Sequence, residues 1–305
     1  MNEKPLRAAL LSNAAFSTLS GMALAIFNQS AATLVGIGSP LLYRLVGVGL
    51  LGFAGLVAWT GTRQPVNTFH AVVISLADIL WVLGTILLIG LAAGSLQPAG
   101  IAALVVVAGF VLLFAVLQMH GINAMYAVPD KPHTQRLCVA VDTPEPAGTM
   151  WPIIADLASI QAYSPNLTHV ILRDGAQPGV DAVRQCTDVK GNTWGEYCKR
   201  YDEQARNVEF EFLAGEPGFP YPFKTMVGGW EVTPNGSGST VTIWFEVTPK
   251  YGPAHPMIMA VMAKDLASGF GDVVARMAAA ARGETAPAEV SLAQHGIRSR
   301  LVPCT

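Results

Sequence analysis

Apolar residues run in four long blocks between residues 8 and 119, after which the pattern changes to short alternations and one amphipathic stretch. The blocks lie at about Ala8–Phe27, Leu41–Trp59, Ala71–Leu91 and Gly100–Met119. A helix needs about 20 mostly apolar residues to cross roughly 30 Å of hydrocarbon, and each block has about that length. Only Arg44, Arg63 and Asp78 carry formal charge within this stretch. The pattern predicts a four-span transmembrane region over residues 1–122. Ser12, Asn13, Ser17, Thr18 and Ser20 dilute the first block. A cleaved signal peptide is the rival reading there, because Lys4 and Arg7 precede an apolar run containing Ala23-Leu24-Ala25. The length of the run and the three blocks that follow favour a span.

Residues 123–134 read as a linker, and from Gln135 the period falls to two. Leu137–Val141 reads as a strand, followed by a short helix over Thr149–Asp156 with Thr149 as N-cap and Pro152 in the first turn. A second short helix near Leu157–Tyr163 stops at Ser164-Pro165-Asn166. Six strands are then predicted, at Leu167–Asp174, Ala182–Asp188, Thr193–Asp202, Asn207–Leu213, Thr225–Thr233 and Thr240–Pro249. Val208, Phe210 and Phe212 alternate with Asn207, Glu209 and Glu211, and Val241, Ile243, Phe245 and Val247 with Thr242, Trp244 and Glu246. Such alternation marks an antiparallel sheet with one dry and one wet face. A long helix over Pro256–Ala281 carries Ile258, Met262, Leu266, Gly269, Phe270, Val273 and Met277 at helical spacing, with Lys264, Asp265, Asp272 and Arg276 off that face. Its apolar face needs a cover, and the dry face of the sheet is large enough to supply one. Residues 284–305 are left as a tail.

The order of elements resembles the helix-grip fold of the START-like (SRPBCC) superfamily, in its polyketide cyclase/dehydrase and lipid-transport branch. The likeness covers residues 135–283. It is carried by Trp151 opening the first helix, by Tyr163-Ser164-Pro165-Asn166, and by Gly228-Gly229-Trp230-Glu231-Val232-Thr233-Pro234 leading to Gly238-Ser239-Thr240-Val241-Thr242. The expected fold class is therefore an all-α four-helix membrane region plus an α+β helix-grip domain, a curved antiparallel sheet around a long C-terminal helix. The resemblance implies a hydrophobic cavity between sheet and helix. Trp151, Tyr163, Phe210, Phe212, Met226, Trp230, Phe245, Met262 and Phe270 are the candidate ligand-binding residues. The same residues at the same periods would also build a solid core. The segment Gly215–Pro222, rich in proline and tipped with aromatics, reads either as a gate or as a plain connection.

Charge refines the picture. Net charge is −2 with no basic block, which argues against a nucleic-acid partner. Lys4, Arg7, Arg63, Lys131 and Arg136 all fall on one side of the predicted spans, so both termini are expected in the cytoplasm of a cell inner-membrane protein. Cys138, Cys186, Cys198 and Cys304 have no zinc-ligand spacing, and a reducing cytoplasm would leave them as thiols. A turn at Lys190-Gly191 would set Cys186 opposite Gly195 and Cys198 opposite Val183, out of register for a bridge. No metal or cofactor motif is present, and no catalytic residues are assigned.

Inside the bilayer Asp78 is the costly residue, with Asn13 and Ser17 at similar depth as expected partners. It lines a polar path or fixes helix register by hydrogen bonds, and the second is favoured because one acid makes a poor relay. Gly47, Gly49, Gly52 and Gly55 suggest a close-packing face on the second span. The function expected is membrane-anchored binding of a hydrophobic small molecule such as a lipid or quinone. The alternatives are a cyclase/dehydrase-type enzyme on an apolar substrate, and a four-span channel or transporter governed by a ligand-sensing domain.

Overall fold

The structure is a computed structural model that describes residues 2–285, 289 and 291–304. It divides into two compact units, residues 2–125 and residues from 126 onward. The N-terminal unit holds α1 (Lys4–Ile26), α2 (Asn28–Val35), α3 (Pro40–Thr62) and α4 (Thr68–Ala92), and is completed by α5 (Pro98–Tyr126). Four of these, α1, α3, α4 and α5, are long and apolar enough to cross a membrane. The short α2 was not foreseen, since it lies between the first two apolar blocks.

Polar groups in this unit find partners inside it. Asp78 Oδ2 accepts hydrogen bonds from Asn13 Nδ2 (2.8 Å) and Gln118 Nε2 (3.2 Å). Ser17 Oγ donates to Asn13 Oδ1 (3.0 Å), and Ser75 Oγ to Gln118 Oε1 (2.7 Å). This network joins α1, α4 and α5, and all five residues are buried. Arg7 donates to the Gly61 and Arg63 carbonyls, so the basic residues that begin α1 and end α3 share one end of the unit. The expected glycine face on α3 shrinks to Gly47. A Cβ there would lie 2.6 Å from the Gly21 carbonyl oxygen, whereas Gly49, Gly52 and Gly55 have nothing within 4 Å.

The second unit begins with β1 (Gln135–Thr143), α6 (Ala147–Ala155), α7 (Ile160–Tyr163) and β2 (Leu167–Leu172). Then follow β3 (Val183–Asp188), β4 (Thr193–Asp202), β5 (Asn207–Phe212), β6 (Phe223–Asn235) and β7 (Gly238–Pro249). The chain ends in α8 (His255–Ala281) and β8 (Arg298–Val302). All eight strands form one antiparallel sheet in the order β2-β3-β4-β5-β6-β7-β1-β8, with α8 on its inner face in a helix-grip arrangement. The alternation read from β7 holds: Val241, Ile243, Phe245 and Val247 are buried, while Thr242, Trp244 and Glu246 are half-buried.

Four expectations are corrected. First, α6 starts at Ala147 behind Pro146, so Thr149 lies inside the helix rather than at its N-cap and Pro152 is interior. Second, the β3–β4 turn sets Cys186 opposite Trp194 and Val183 opposite Tyr197, one residue from the expected register.

Third, residues 298–302 are not tail but strand β8, paired antiparallel with β1. That pairing brings Cys304 beside Cys138, with Cα atoms 5.4 Å apart and a disulfide between them, so only Cys186 and Cys198 are thiols. Fourth, α8 does not present one apolar stripe to the sheet along its whole length. From Gly271 to Ala279 almost every side chain is buried, Arg276 included, because α6 and the returning C-terminal segment cover the sides that the sheet leaves open. A Cβ on Gly271 would meet Leu292 at 2.9 Å and Ser299 at 3.1 Å, and the Ser299 hydroxyl donates to the Ala267 carbonyl.

Candidate functional site

The space between the sheet and α8 narrows to a small cavity at one end. This cavity, of about 10 Å³, is lined by Asp156, Arg184, Phe210, Trp230 and Met277 with three isoleucines and Val208. That volume suits a single water at most. The expected walls therefore pack against one another here, as a core does.

Towards the N-terminus α8 keeps a buried face, Met259, Ala260 and Ala263, beside a second apolar row that turns outward. Phe270 faces the sheet, its ring centroid 5.2 Å from that of Trp230 and 5.8 Å from that of Phe245. At about 100° per residue, Ala263 and Met259 lie within about 20° of Phe270, whereas Leu266, Met262 and Ile258, at steps of four, wind about 40° further round each time. Phe270 and these three are only half-buried, while Val273 and Met277 are buried. Met257 and Val261, beside them, are exposed. The row Phe270, Leu266, Met262, Ile258 thus winds out of the core, while the buried Ala263 and Met259 stay in line with Phe270.

The inner face of the sheet is aromatic. Phe245 lies 6.2 Å from Phe212, Phe212 lies 6.3 Å from Tyr221, and Tyr221 is 5.6 Å from Trp194 and 5.4 Å from Phe219. Edge-on and tilted contacts at these spacings suit aromatic quadrupoles. With Phe270 and Trp230 they make a continuous run of rings from the small cavity to the Gly215–Pro222 segment. That segment folds its aromatics inward: Phe219 and Tyr221 pack on the Val170, Cys186 and Trp194 cluster. Burial pushes the Tyr221 hydroxyl pKa well above the ordinary phenol range.

Of the nine candidate ligand residues, Phe210 and Trp230 line the small cavity, and Trp230, Phe270, Phe245 and Phe212 belong to the row of rings. Met226 is buried on the inner face of β6, and Met262 sits on the outward-winding row. Trp151 turns instead to Tyr201, ring centroids 6.0 Å apart. Tyr163 ends α7 half-buried, and burial followed by the neighbouring Asp156 charge raises its pKa.

Sequence reasoning missed Arg184, which makes a polar centre of the domain with Glu196. Arg184 on β3 and Glu196 on β4 are register partners on the inner face, and both are buried. Arg184 Nε donates to Glu196 Oε2 at 2.9 Å, a second guanidinium nitrogen reaches the same oxygen, and the third donates to the Leu157 carbonyl at 3.2 Å. Trp194 Nε1 donates to Glu196 Oε1 at 2.8 Å. The guanidinium carbon lies 4.1 Å from the Phe210 ring centroid. Burial opposes the Arg184 charge, but the Glu196 carboxylate beside it wins and raises its pKa. Burial likewise drives the Cys186 thiol far above its ordinary range and the Cys198 thiol up to about 11, so both stay protonated at neutral pH. Among the described residues no three His, Cys, Asp or Glu side chains gather as a metal site.

Residues 134–282 match the family model described as polyketide cyclase / dehydrase and lipid transport. No curated protein matches the chain at a significant level. Solved structures are similar over the same half. An aromatase/cyclase, ZhuI, from a Streptomyces species is 13% identical with a TM-score of 0.41, covering 49% of this chain and 94% of that chain. A norcoclaurine synthase point mutant from Thalictrum flavum, in complex with a transition-state analogue, is also 13% identical, with a TM-score of 0.40 over 49% of this chain and 96% of that chain. The protein Ara h 8.0201 is 12% identical with a TM-score of 0.40, over 50% of this chain and 99% of that chain.

Proposed function

We propose that residues 134–282, a domain of the polyketide cyclase/dehydrase and lipid-transport family, bind a hydrophobic small molecule such as a lipid or quinone between α8 and the inner face of the sheet. The observation that carries this reading is the half-buried row Ile258–Met262–Leu266–Phe270, which winds out of the core from Phe270, itself packed against the aromatic rings of the sheet. Exposed apolar area costs about 25 cal/mol per Å² relative to burial, so a stripe of this kind gains from a greasy occupant. The guest enters along the stripe and stops at the packed end, where Asp156 and the Arg184–Glu196 pair supply the polar groups within reach. Those groups also support a second reading, cyclisation or dehydration of an apolar substrate, which predicts a pH-dependent turnover.

The four apolar helices anchor the domain in a membrane, and the connection over residues 127–134 keeps it within reach of the bilayer. The basic residues Lys4, Arg7, Arg63, Lys131 and Arg136 favour a cytoplasmic domain in a cell inner membrane. Residues 126–305, which form a compact unit, provide the test. Purified without the helices and extracted with organic solvent, this unit is expected to release an apolar ligand identifiable by mass spectrometry. The variant Met262→Trp is expected to release far less. An empty extract together with exclusion of an apolar probe dye would overturn the reading.

A further inference from the structure

The Cys138–Cys304 bond closes a strap across α8. Beyond that helix the chain returns through Leu292 and the buried Ile297 into β8, which pairs with β1. Ser299 and Leu301 stand opposite Val141 and Val139, whose side chains are on the inner face, so both belong to the side of the sheet that carries α8. The Ser299 hydroxyl donates to the Ala267 carbonyl, and Leu292 and Ser299 pack against Gly271. Ala267 and Gly271 flank Phe270, whose ring meets Trp230 and Phe245. The strap and the aromatic rings therefore hold the same turn of α8. From that turn the half-buried Leu266, Met262 and Ile258 wind outward.

Little besides the bond secures the strap. β8 has five residues, opens on Arg-Ser-Arg, and is followed by Pro303, which has no N–H with which to extend the ladder. Its ion pair, Arg300 with Asp142, is partly exposed and of the kind that contributes little. The bond is also within reach of solutes. Cys138 sits opposite Trp244 on the face of the sheet away from α8, and with Val302, Pro303 and the half-buried Cys304 it lines a concavity of about 450 Å³. The two other cysteines, Cys186 and Cys198, are buried thiols. On the cytoplasmic reading proposed above, a disulfide is transient and responds to redox state rather than serving as a permanent staple.

We propose that Cys138–Cys304 is a thiol–disulfide exchange site, and that its state regulates the interior apolar site by setting how firmly β8 straps α8. The regulatory part rests on the interior site proposed above. One thiolate of a small dithiol attacks Cys304 Sγ, the more exposed sulfur. A mixed disulfide forms, the bond to Cys138 breaks, and the electron pair leaves on Cys138 Sγ, which takes up a proton. The second thiol of the reductant then attacks its own partner sulfur and frees Cys304 as a thiolate, which is protonated in turn. The dithiol ends as a disulfide, and the protein has gained two electrons and two protons. Glutathione disulfide runs the exchange backwards, releasing two molecules of glutathione. In the reduced form β8 frays from the edge of β1, the grip on Ala267 and Gly271 slackens, and an apolar guest exchanges faster; in the oxidised form α8 is clamped.

The test uses the full chain in nanodiscs, held in dithiothreitol or in glutathione disulfide, with the state of the bond read by alkylation and mass spectrometry. Amide exchange in residues 267–271 is expected to be slower by about tenfold or more in the oxidised form. Release of dansyl-undecanoate to empty vesicles, corrected for protein-free nanodiscs, is expected to slow by a similar factor. Cys304→Ser should give the reduced values in both buffers. Ser299→Ala leaves both cysteines in place and should speed exchange in residues 267–271 of the oxidised protein while alkylation still finds the bond. The proposal is overturned by a bond that dithiothreitol leaves closed in the folded protein, by exchange in residues 267–271 that ignores the redox state, or by dye release that ignores it while amide exchange responds. Failure of the interior site itself reads differently: no saturable dye binding in either state, with the amide contrast intact.

Discussion

Removing one member of the Arg184–Glu196 pair strands a charge in an apolar interior. Glu196→Leu leaves the guanidinium facing the Phe210 ring and the Leu157 carbonyl with no counter-ion. Breaking a buried pair in this way costs roughly 3–5 kcal/mol, whereas replacing both partners by apolar residues of similar size is often neutral. Thermal unfolding of residues 126–305 should therefore show a large drop in Tm for Glu196→Leu and a much smaller one for Arg184→Met/Glu196→Leu. A double variant as unstable as the single one would mean that the pair does more than satisfy itself. His255 gives the pH prediction. Burial, then the charges of His133 and Lys224, lower its pKa, and its Nε2 is buried without a partner. The unfolded chain, with an ordinary His pKa of about 6.5, then binds the proton more readily than the folded one. Stability contributed by neutral His255 is complete above that pH and is lost as pH falls below it. Melting at pH 8 and pH 5.5 should differ less in His255→Gln than in wild type. At this scale the sequence was legible where chemistry follows period. Phe245, Phe270 and Trp230 meet because inner positions of strands and helix must. Arg184 was hidden because a charged residue on a strand normally marks the wet face, and only the register with Glu196 reveals it on the dry one.

Element boundaries were mostly legible, and the failures share a cause. The spans β4 and α8 emerge within a residue of the pattern, since alternation and helical spacing are local properties. By contrast β8 has a short sequence, Arg-Ser-Arg-Leu-Val, with no alternation of its own, and exists because the free edge of β1 accepts it. The partial exposure of the α8 stripe was equally invisible, because it depends on what lies opposite each turn. Strand β8 also carries a redox prediction. A bond between Cys138 and Cys304, 166 residues apart, restricts the unfolded chain, and a loop of this order is worth roughly 2–5 kcal/mol. Cys304→Ser should lower the oxidised Tm to that of the reduced wild type and should raise amide exchange in residues 298–302 more than elsewhere. The same pair reports which side of the membrane the domain occupies. With a cytoplasmic domain, alkylation in acid-quenched cells should trap both residues as thiols, and the bond should close only on exposure to oxidant. Recovery of the disulfide at the moment of quenching would instead place the domain on the oxidising side and reverse the orientation drawn from Lys4, Arg7 and Arg63.

At the scale of the whole chain, the question is which half acts and which half positions. The N-terminal unit, whose four long helices are apolar enough to cross a membrane, satisfies its polar residues internally: Asn13, Ser17, Ser75, Asp78 and Gln118 bond to one another across three helices. Hydrogen bonds between membrane helices are worth about 0.6–2 kcal/mol each, which suits register and leaves little reason to invoke transport. Anchorage has its own consequence. On the proposed reading, a domain tethered through residues 127–134 would meet bilayer-dissolved ligand at a local concentration set by a short tether rather than by the bulk. Residues 126–305 alone should therefore bind an apolar ligand with the intrinsic affinity of the full chain but take it up from vesicles more slowly. Asp78→Asn, which keeps an acceptor for Asn13 and Gln118, should alter neither quantity. Stopped-flow transfer from labelled vesicles to the two forms measures the difference directly. If Asp78→Asn abolishes uptake while Met262→Trp leaves it intact, the bundle carries the activity and the helix-grip domain serves only to sense.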